Sequence, residues 1–181
     1  IEIIVSDEQG ASDTVMFRLD VIHVPRPHLT INVIQNNAFT HYFDVIITDT
    51  LQKARNVILA IENNRVHLDT LDKFTYLGHT LFQDPGNYEI EVFADALVGD
   101  TTVLRSVGLA LARTLGRWNG SSPDGLFNVT GETGTVNMDQ YILIMDSTMF
   151  KKGYSGSYKL GYESQWFSNP VEVSLASYDD E

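Results

Sequence analysis

The chain has 181 residues, 43% of them hydrophobic, which is enough to build a substantial core and too apolar for a disordered polymer. Its 24 acidic and 12 basic residues give a net charge of −12, and no basic stripe exists to meet a phosphate backbone, which excludes nucleic acid as a partner. Cysteine is absent, which removes disulfides, thiolate catalysis and cysteine-based zinc sites, and no apolar run approaches the ~18 residues of a membrane span.

Taken in chain order, the first residues, "IEIIVSD", lack an initiator methionine and a basic-then-apolar leader, which predicts a processed product or a piece of something longer. Strand-like runs then follow at 1–5, 14–24, 29–35, 41–48, 56–62, 79–82, 88–94, 101–111, 126–130, 141–145, 157–160 and 170–176. Each is short, rich in β-branched and aromatic residues, and bounded by Gly, Asn, Asp or Pro, as in a sandwich. "LRSVGLALARTLG", 104–116, has the Leu and Ala content of a helix. Gly108 interrupts it and "DTTV" precedes it, so its first part reads as a strand.

One hairpin is written twice. Under "YEIEVFADALVGDTTV" from Tyr88, the opening run places Glu2 on Glu89, Ile3 on Ile90 and Val5 on Val92, followed in both by an acidic turn, Asp-Thr and an apolar strand. The offset of 87 positions is the size of one immunoglobulin-like domain. Residues 1–27 are therefore expected to be the closing hairpin of one domain plus a stiff "PRP" linker, 28–114 a complete sandwich, and 115–181 the start of a third module. The expected class is all-β: tandem immunoglobulin-like sandwiches with incomplete terminal modules.

"DPGN" at 84–87 is a turn, since Pro presets φ and Gly or Asn accepts φ > 0. Tyr88 enters the next strand two residues before Ile90, which stands where an immunoglobulin domain carries its second cysteine. The stretch resembles a tyrosine corner in a cysteine-free sandwich, implying a hydroxyl that bonds back across the turn. Ile90, Val92, Val45, Ile47, Val57 and Leu59 are the expected core by alternation.

Further resemblances rest on longer motifs. "VSDEQGASDT" resembles the end of a cadherin-like or polycystin-type repeat, and residues 29–113, through "HYFDVIITD" and "YLGHTLFQDPGNYEIEVFADALVGDTTV", resemble the immunoglobulin-like modules of large bacterial extracellular proteins. "SSPDGLFNVTGETGTVNMDQYILIM" and "YKLGYESQWFSNPVEVSLASYDDE" are similar to the zona-occludens/netrin-receptor sandwich, with Phe167, Pro170, Val171, Val173, Tyr178 and Asp179 on its pattern and Tyr162 departing from a usual Pro. The resemblance implies an extracellular or cell-surface spacer or interaction module whose partners are neighbouring domains and a protein or glycan ligand.

Catalytic machinery is not legible. "GYSGS" at 153–157 ends in Ser157 where a nucleophile elbow needs Gly, and it sits between β-runs rather than between strand and helix. The five histidines, His23, His28, His41, His67 and His79, form no spaced ligand pair, and "GETGT" from Gly131 lacks the lysine of a phosphate loop. Two sequons, Asn119-Gly120-Ser121 and Asn128-Val129-Thr130, matter only in a eukaryotic secretory pathway.

Two sites remain. Asp7, Glu8 and Asp13 crowd one hairpin tip and Asp95 and Asp100 its counterpart, so that calcium, which takes six to eight oxygens, is the one cofactor candidate. Trp118, Trp166 and Tyr158, with Tyr154 and Tyr162, lie in one Gly/Ser-rich region and could form a glycan-stacking platform, though core packing explains such aromatics more simply. The expected role is non-enzymatic: an architectural or adhesive stalk segment. The alternatives are a carbohydrate-binding region of a secreted hydrolase and a filament subunit assembled by strand exchange.

Overall fold

The computed structural model describes residues 2–6, 8–10, 12–16, 24–146, 157–162 and 165–176. Among them the fold is all-β, with fifteen strands and no helix. Strands β1 (Glu2–Ser6) and β2 (Ser12–Met16) pair antiparallel with each other. A four-stranded sheet has the order β3-β4-β8-β7, from β3 (Leu29–Gln35), β4 (Tyr42–Asp49), β7 (Leu68–Asp72) and β8 (Thr75–Leu81). Facing it is a six-stranded sheet, β14-β13-β10-β9-β5-β6, from β5 (Asn56–Ile61), β6 (Asn64–Val66), β9 (Gly86–Asp95), β10 (Thr101–Ala112), β13 (Gln140–Asp146) and β14 (Tyr158–Leu160). The third sheet, β11-β12-β15, joins β11 (Trp118–Ser121), β12 (Phe127–Gly131) and β15 (Glu172–Leu175).

Strict alternation makes β3 and β4 strands with one face in the core: Leu29, Ile31, Val33, Phe43, Val45 and Ile47 are buried while the residues between them are more exposed. They meet Leu59, Ile61, Ile90, Val92, Val107 and Leu109 from the opposite sheet in one hydrophobic cluster, giving a sandwich-like pair of layers. Of the six residues expected in the core, five are fully buried and Val57 packs against the cluster from its margin.

At β10 and β13 the alternation disappears, because both faces are covered. Val107, Leu109, Leu143 and Met145 enter the first cluster, whereas Ala110, Ala112, Ile142 and Ile144 enter a second with Trp118, Phe127, Val129 and Val136. The middle sheet is thus shared by two cores. Small residues let the third sheet approach: a Cβ on Gly108 would collide with the main-chain carbonyl of Ser121 on β11. β10 is a strand through its whole length, so burial on two faces overrides the helical propensity of its Leu and Ala residues.

β13, from beyond residue 114, pairs with β10 from before it, Gly108 opposite Ile144 through Ala112 opposite Gln140, so hydrogen-bonded structure crosses the expected division at 114. The two copies of the repeated hairpin are both antiparallel but differ in register. Val5 stands opposite Asp13, whereas Val92 stands opposite Val103 instead of Asp100, because the second copy has the longer turn, in which Gly99 N–H donates to the Ala96 carbonyl at 3.3 Å.

Tyr88 closes the turn before β9. Its hydroxyl donates to the Asp84 carbonyl at 2.6 Å and accepts from the Asp84 N–H at 3.0 Å, while its ring stacks on Phe82 with centroids 4.3 Å apart. Ile90, next on the same face, is fully buried. Replacing Tyr88 by Phe keeps the stack and removes both hydrogen bonds, so urea unfolding should register a loss of about 1 kcal/mol. Superimposable curves would mean that the hydroxyl contributes nothing to the corner.

Candidate functional site

Polar side chains bind main-chain groups at separate places, Asp49 at one end of the β3–β4 ladder and Gln35 at the other. Asp49 ends β4 with 1% exposure, and its carboxylate accepts from four main-chain N–H groups: His28 at 3.3 Å, Leu51 at 3.1 Å, Lys53 at 2.5 Å and Ala54 at 2.7 Å. Burial opposes its ionisation, but the hydrogen bonds from Ala54, Lys53, Leu51 and His28 outweigh that penalty and hold its pKa below the ordinary aspartate value. The carboxylate shapes the crossover 50–55, which carries the chain from one sheet of the first core to the other.

Gln35, 4% exposed at the end of β3, does the same for β13. Its amide donates to the Tyr141 carbonyl at 2.5 Å and accepts from the Leu143 N–H at 2.9 Å, which is how a neighbouring strand would pair. Arg105 on β10 spans the sheets nearby, donating from Nη1 to the Ile31 carbonyl at 3.1 Å and from Nη2 to the Asp146 carbonyl at 2.6 Å. Its Nε is buried without a hydrogen-bond partner. Around Arg105 lies an open groove of about 540 Å3, lined by β3, the first half of β10, Asp146 and the 122–124 loop. Asp124 in that loop takes hydrogen bonds from the Ser122 and Tyr158 hydroxyls and the Leu126 N–H; burial opposes ionisation, and these donors bring its pKa below the usual value.

The aromatics expected to form a glycan platform occupy different environments. Trp118 is 4% exposed, its Nε1 donates to Thr135 Oγ1 at 2.7 Å, and its ring lies over Gly131, where any Cβ would strike the indole. Phe167 stacks on Trp118 with centroids 6.1 Å apart. The "GETGT" stretch is therefore the seat of a buried indole, and Trp118 has no face to offer a sugar, since hydrophobic burial claims it first. Tyr158 is half-buried, stacked on Phe127 at 5.1 Å with its hydroxyl 2.8 Å from Asp124. Trp166 is 78% exposed and Tyr162 half-buried, while Tyr154 lies outside the described residues.

The acidic tips do not assemble a cation site among the described residues, where no three His, Asp or Glu side chains converge. Glu8 is exposed in its turn and Asp13 lies in β2; Asp7 falls outside the described residues. Asp95 and Asp100 flank the β9–β10 turn, and the guanidinium of Arg26 packs against Gly99 within it, 3.4 Å from where a Cβ would stand. Calcium needs six to eight oxygens. His79 pairs across strands with Asp44 at 2.7 Å and His28 with Thr50 at 2.8 Å, ordinary surface contacts. Of "GYSGS", only Ser157 is described, and His23 is outside the described residues.

No helix among the described residues is long and apolar enough to cross a membrane. No family model, characterised protein or solved structure matches the chain. Asp49, Gln35 and Arg105 escaped sequence reasoning. Asp49 alone had a local signal, an aspartate ending a strand before a run of unpaired N–H groups, which is the setting of side-chain-to-backbone turns.

Proposed function

We propose that the chain is a non-enzymatic architectural segment of an extracellular or surface-displayed protein, built of immunoglobulin-like sandwich units placed in tandem and joined rigidly. The observation that carries this reading is the middle sheet, whose β10 and β13 belong to two cores at once. A flexible linker would let two units swivel; a shared sheet makes swivelling require the breaking of a ladder five residue pairs long.

The strand order supports the finer assignment. Taken from β3 onward, β3-β4-β8-β7 facing β10-β9-β5 reproduces the A-B-E-D and G-F-C order of the immunoglobulin sandwich, with β6 added beside C. The tyrosine that bonds back to Asp84 occupies the corner that this fold carries at the start of strand F. β1 and β2, a hairpin of similar sequence, fit the closing strands of a preceding unit, and neighbouring units of the same polypeptide are the expected partners. Two polar side chains placed inside the molecule serve main-chain groups: Asp49 closes a crossover and Gln35 fastens a strand.

Surface display is tested by antibodies raised against the chain and applied to the cells that make it. They should label intact cells, and external protease should remove the label. Labelling only after lysis would overturn the extracellular role.

A further inference from the structure

Beyond that architectural reading, and independent of it, we infer that the cavity between the β5–β6 turn and the tyrosine corner binds a protonated primary amine, carried on a free diamine or on a lysine side chain. The cavity measures about 310 Å3, at the lower end of the ~300–1,000 Å3 usual for small-molecule sites. Its walls come from the end of β5, the turn after it, β6, the end of β8 and the corner segment 83–88. All of these lie inside the unbroken described run 24–146.

Local structure fixes the two acidic residues of that wall. Glu62 lies in the two-residue turn of the β5–β6 hairpin with φ of 50°, the left-handed conformation such a turn demands, and Asn63 shares it at 65°. The Glu62 N–H donates to the Glu89 carbonyl at 3.2 Å, and its Oε1 accepts from the Glu89 N–H at 3.0 Å. The side chain is thus pinned to β9, with Oε2 left over. Asp84 is held through its main-chain N–H and carbonyl by the Tyr88 hydroxyl. Neither carboxylate pairs with a basic side chain among the described residues, and no Lys, Arg or His lines the cavity.

The hydrogen-bonding inventory selects the class of ligand. Asn64 commits its Nδ2 to the Glu62 carbonyl at 3.3 Å, which leaves its Oδ1. Thr80, 9% exposed, points inward from β8 into the cavity wall, and its hydroxyl has no hydrogen-bond partner among the described residues. The Glu62, Asp84 and Asn64 oxygens only accept, and the hydroxyl accepts as well as donates, so the wall is short of donors. An ammonium brings three donors, no acceptor and a positive charge. A metal ion is a poorer match, because no three His, Asp or Glu side chains converge among the described residues. Ile61, Val66 and the Tyr88 ring supply the apolar wall on which an alkyl stem lies.

The probes are cadaverine and the capped peptide acetyl-Gly-Lys-Gly-amide, titrated at constant ionic strength into the isotope-labelled whole chain and followed by amide chemical shifts. Saturable shifts are expected at Glu62, Asn64, Thr80, Asp84 and Glu89. Tetramethylammonium, which has the charge without N–H donors, and pentanol, which has the stem without the charge, should each bind about tenfold more weakly or worse. Asp84→Asn, at an exposed position, should weaken amine binding by about tenfold and leave the unfolding midpoint unchanged. Glu62→Gln, which keeps an oxygen for the Glu89 N–H, should weaken it similarly. Tighter binding of cadaverine would assign a free diamine as the ligand, and tighter binding of the peptide a lysine of a partner. Absence of saturable shifts at these amides overturns the proposal, as does equal affinity for tetramethylammonium or pentanol. Unchanged affinity in both variants overturns it too, since the amine would then sit elsewhere on an acidic surface.

Discussion

Asp49→Asn should cost the folded state about 3 kcal/mol at neutral pH, a large share of the 5–15 kcal/mol that holds a typical domain together. The carboxylate serves four N–H donors with two oxygens, two donors on each. An asparagine keeps one oxygen and turns an NH2 group toward the other pair, so two donors lose their acceptor and face a third donor in a site that water does not reach. The effect also has a pH signature. Because the folded-state pKa of Asp49 lies below its unfolded value near 3.9, its contribution is complete above that value and fades as pH falls through the folded-state pKa. The gap between wild type and Asp49→Asn in urea unfolding should therefore be widest from about pH 5 to 7 and shrink toward about pH 2. A gap that stays constant into acid would assign the loss to packing instead of to the ionised carboxylate.

The strands that alternate were legible because each has one wet face. Val45, Ile47, Ile90 and Val92 announce their burial through the polar residues between them, and Tyr88 announces its turn through the Pro-Gly-Asn before it. The short edge strands β6 and β7 were not legible: "NRV" and "LDTLD" are largely exposed, carry little apolar pattern, and are strands because β5 and β8 offer them hydrogen bonds. β10 and β13 taught the harder lesson. "VGLALA" and "YILIM" are continuous apolar runs, the mark of a strand buried on both faces. The site residues were opaque for a different reason. Gln35 and Arg105 bind the carbonyls and amide of Ile31, Tyr141, Leu143 and Asp146, from 41 to 108 positions away, and no local pattern encodes a partner that the fold alone brings near.

If one sheet truly serves two cores, damage deep in the first must be felt in the second. Leu59 is fully buried in the first cluster, on β5, which pairs with β9 and β6 and contributes nothing to the second cluster. Leu59→Ala removes a side chain whose loss in a packed core costs about 2–5 kcal/mol. Trp118, by contrast, reports on the second cluster, and carrying the measurement in a Trp166→Phe background leaves its buried indole as the chain's only tryptophan. Two independent units would unfold separately, and the Trp118 fluorescence midpoint would ignore Leu59→Ala. A shared β10–β13 ladder predicts the opposite: unfolding of the first core strips β9 and half the apolar cover from β10 and β13, exposing Val107, Leu109, Leu143 and Met145, so the second core cannot keep its sheet. The Trp118 midpoint should then fall together with the far-ultraviolet circular dichroism midpoint, as one cooperative transition requires. A Trp118 signal that stays in place while the dichroism shifts would mean that the ladder between the units is too weak to couple them, and the rigid-spacer reading would lose its physical basis.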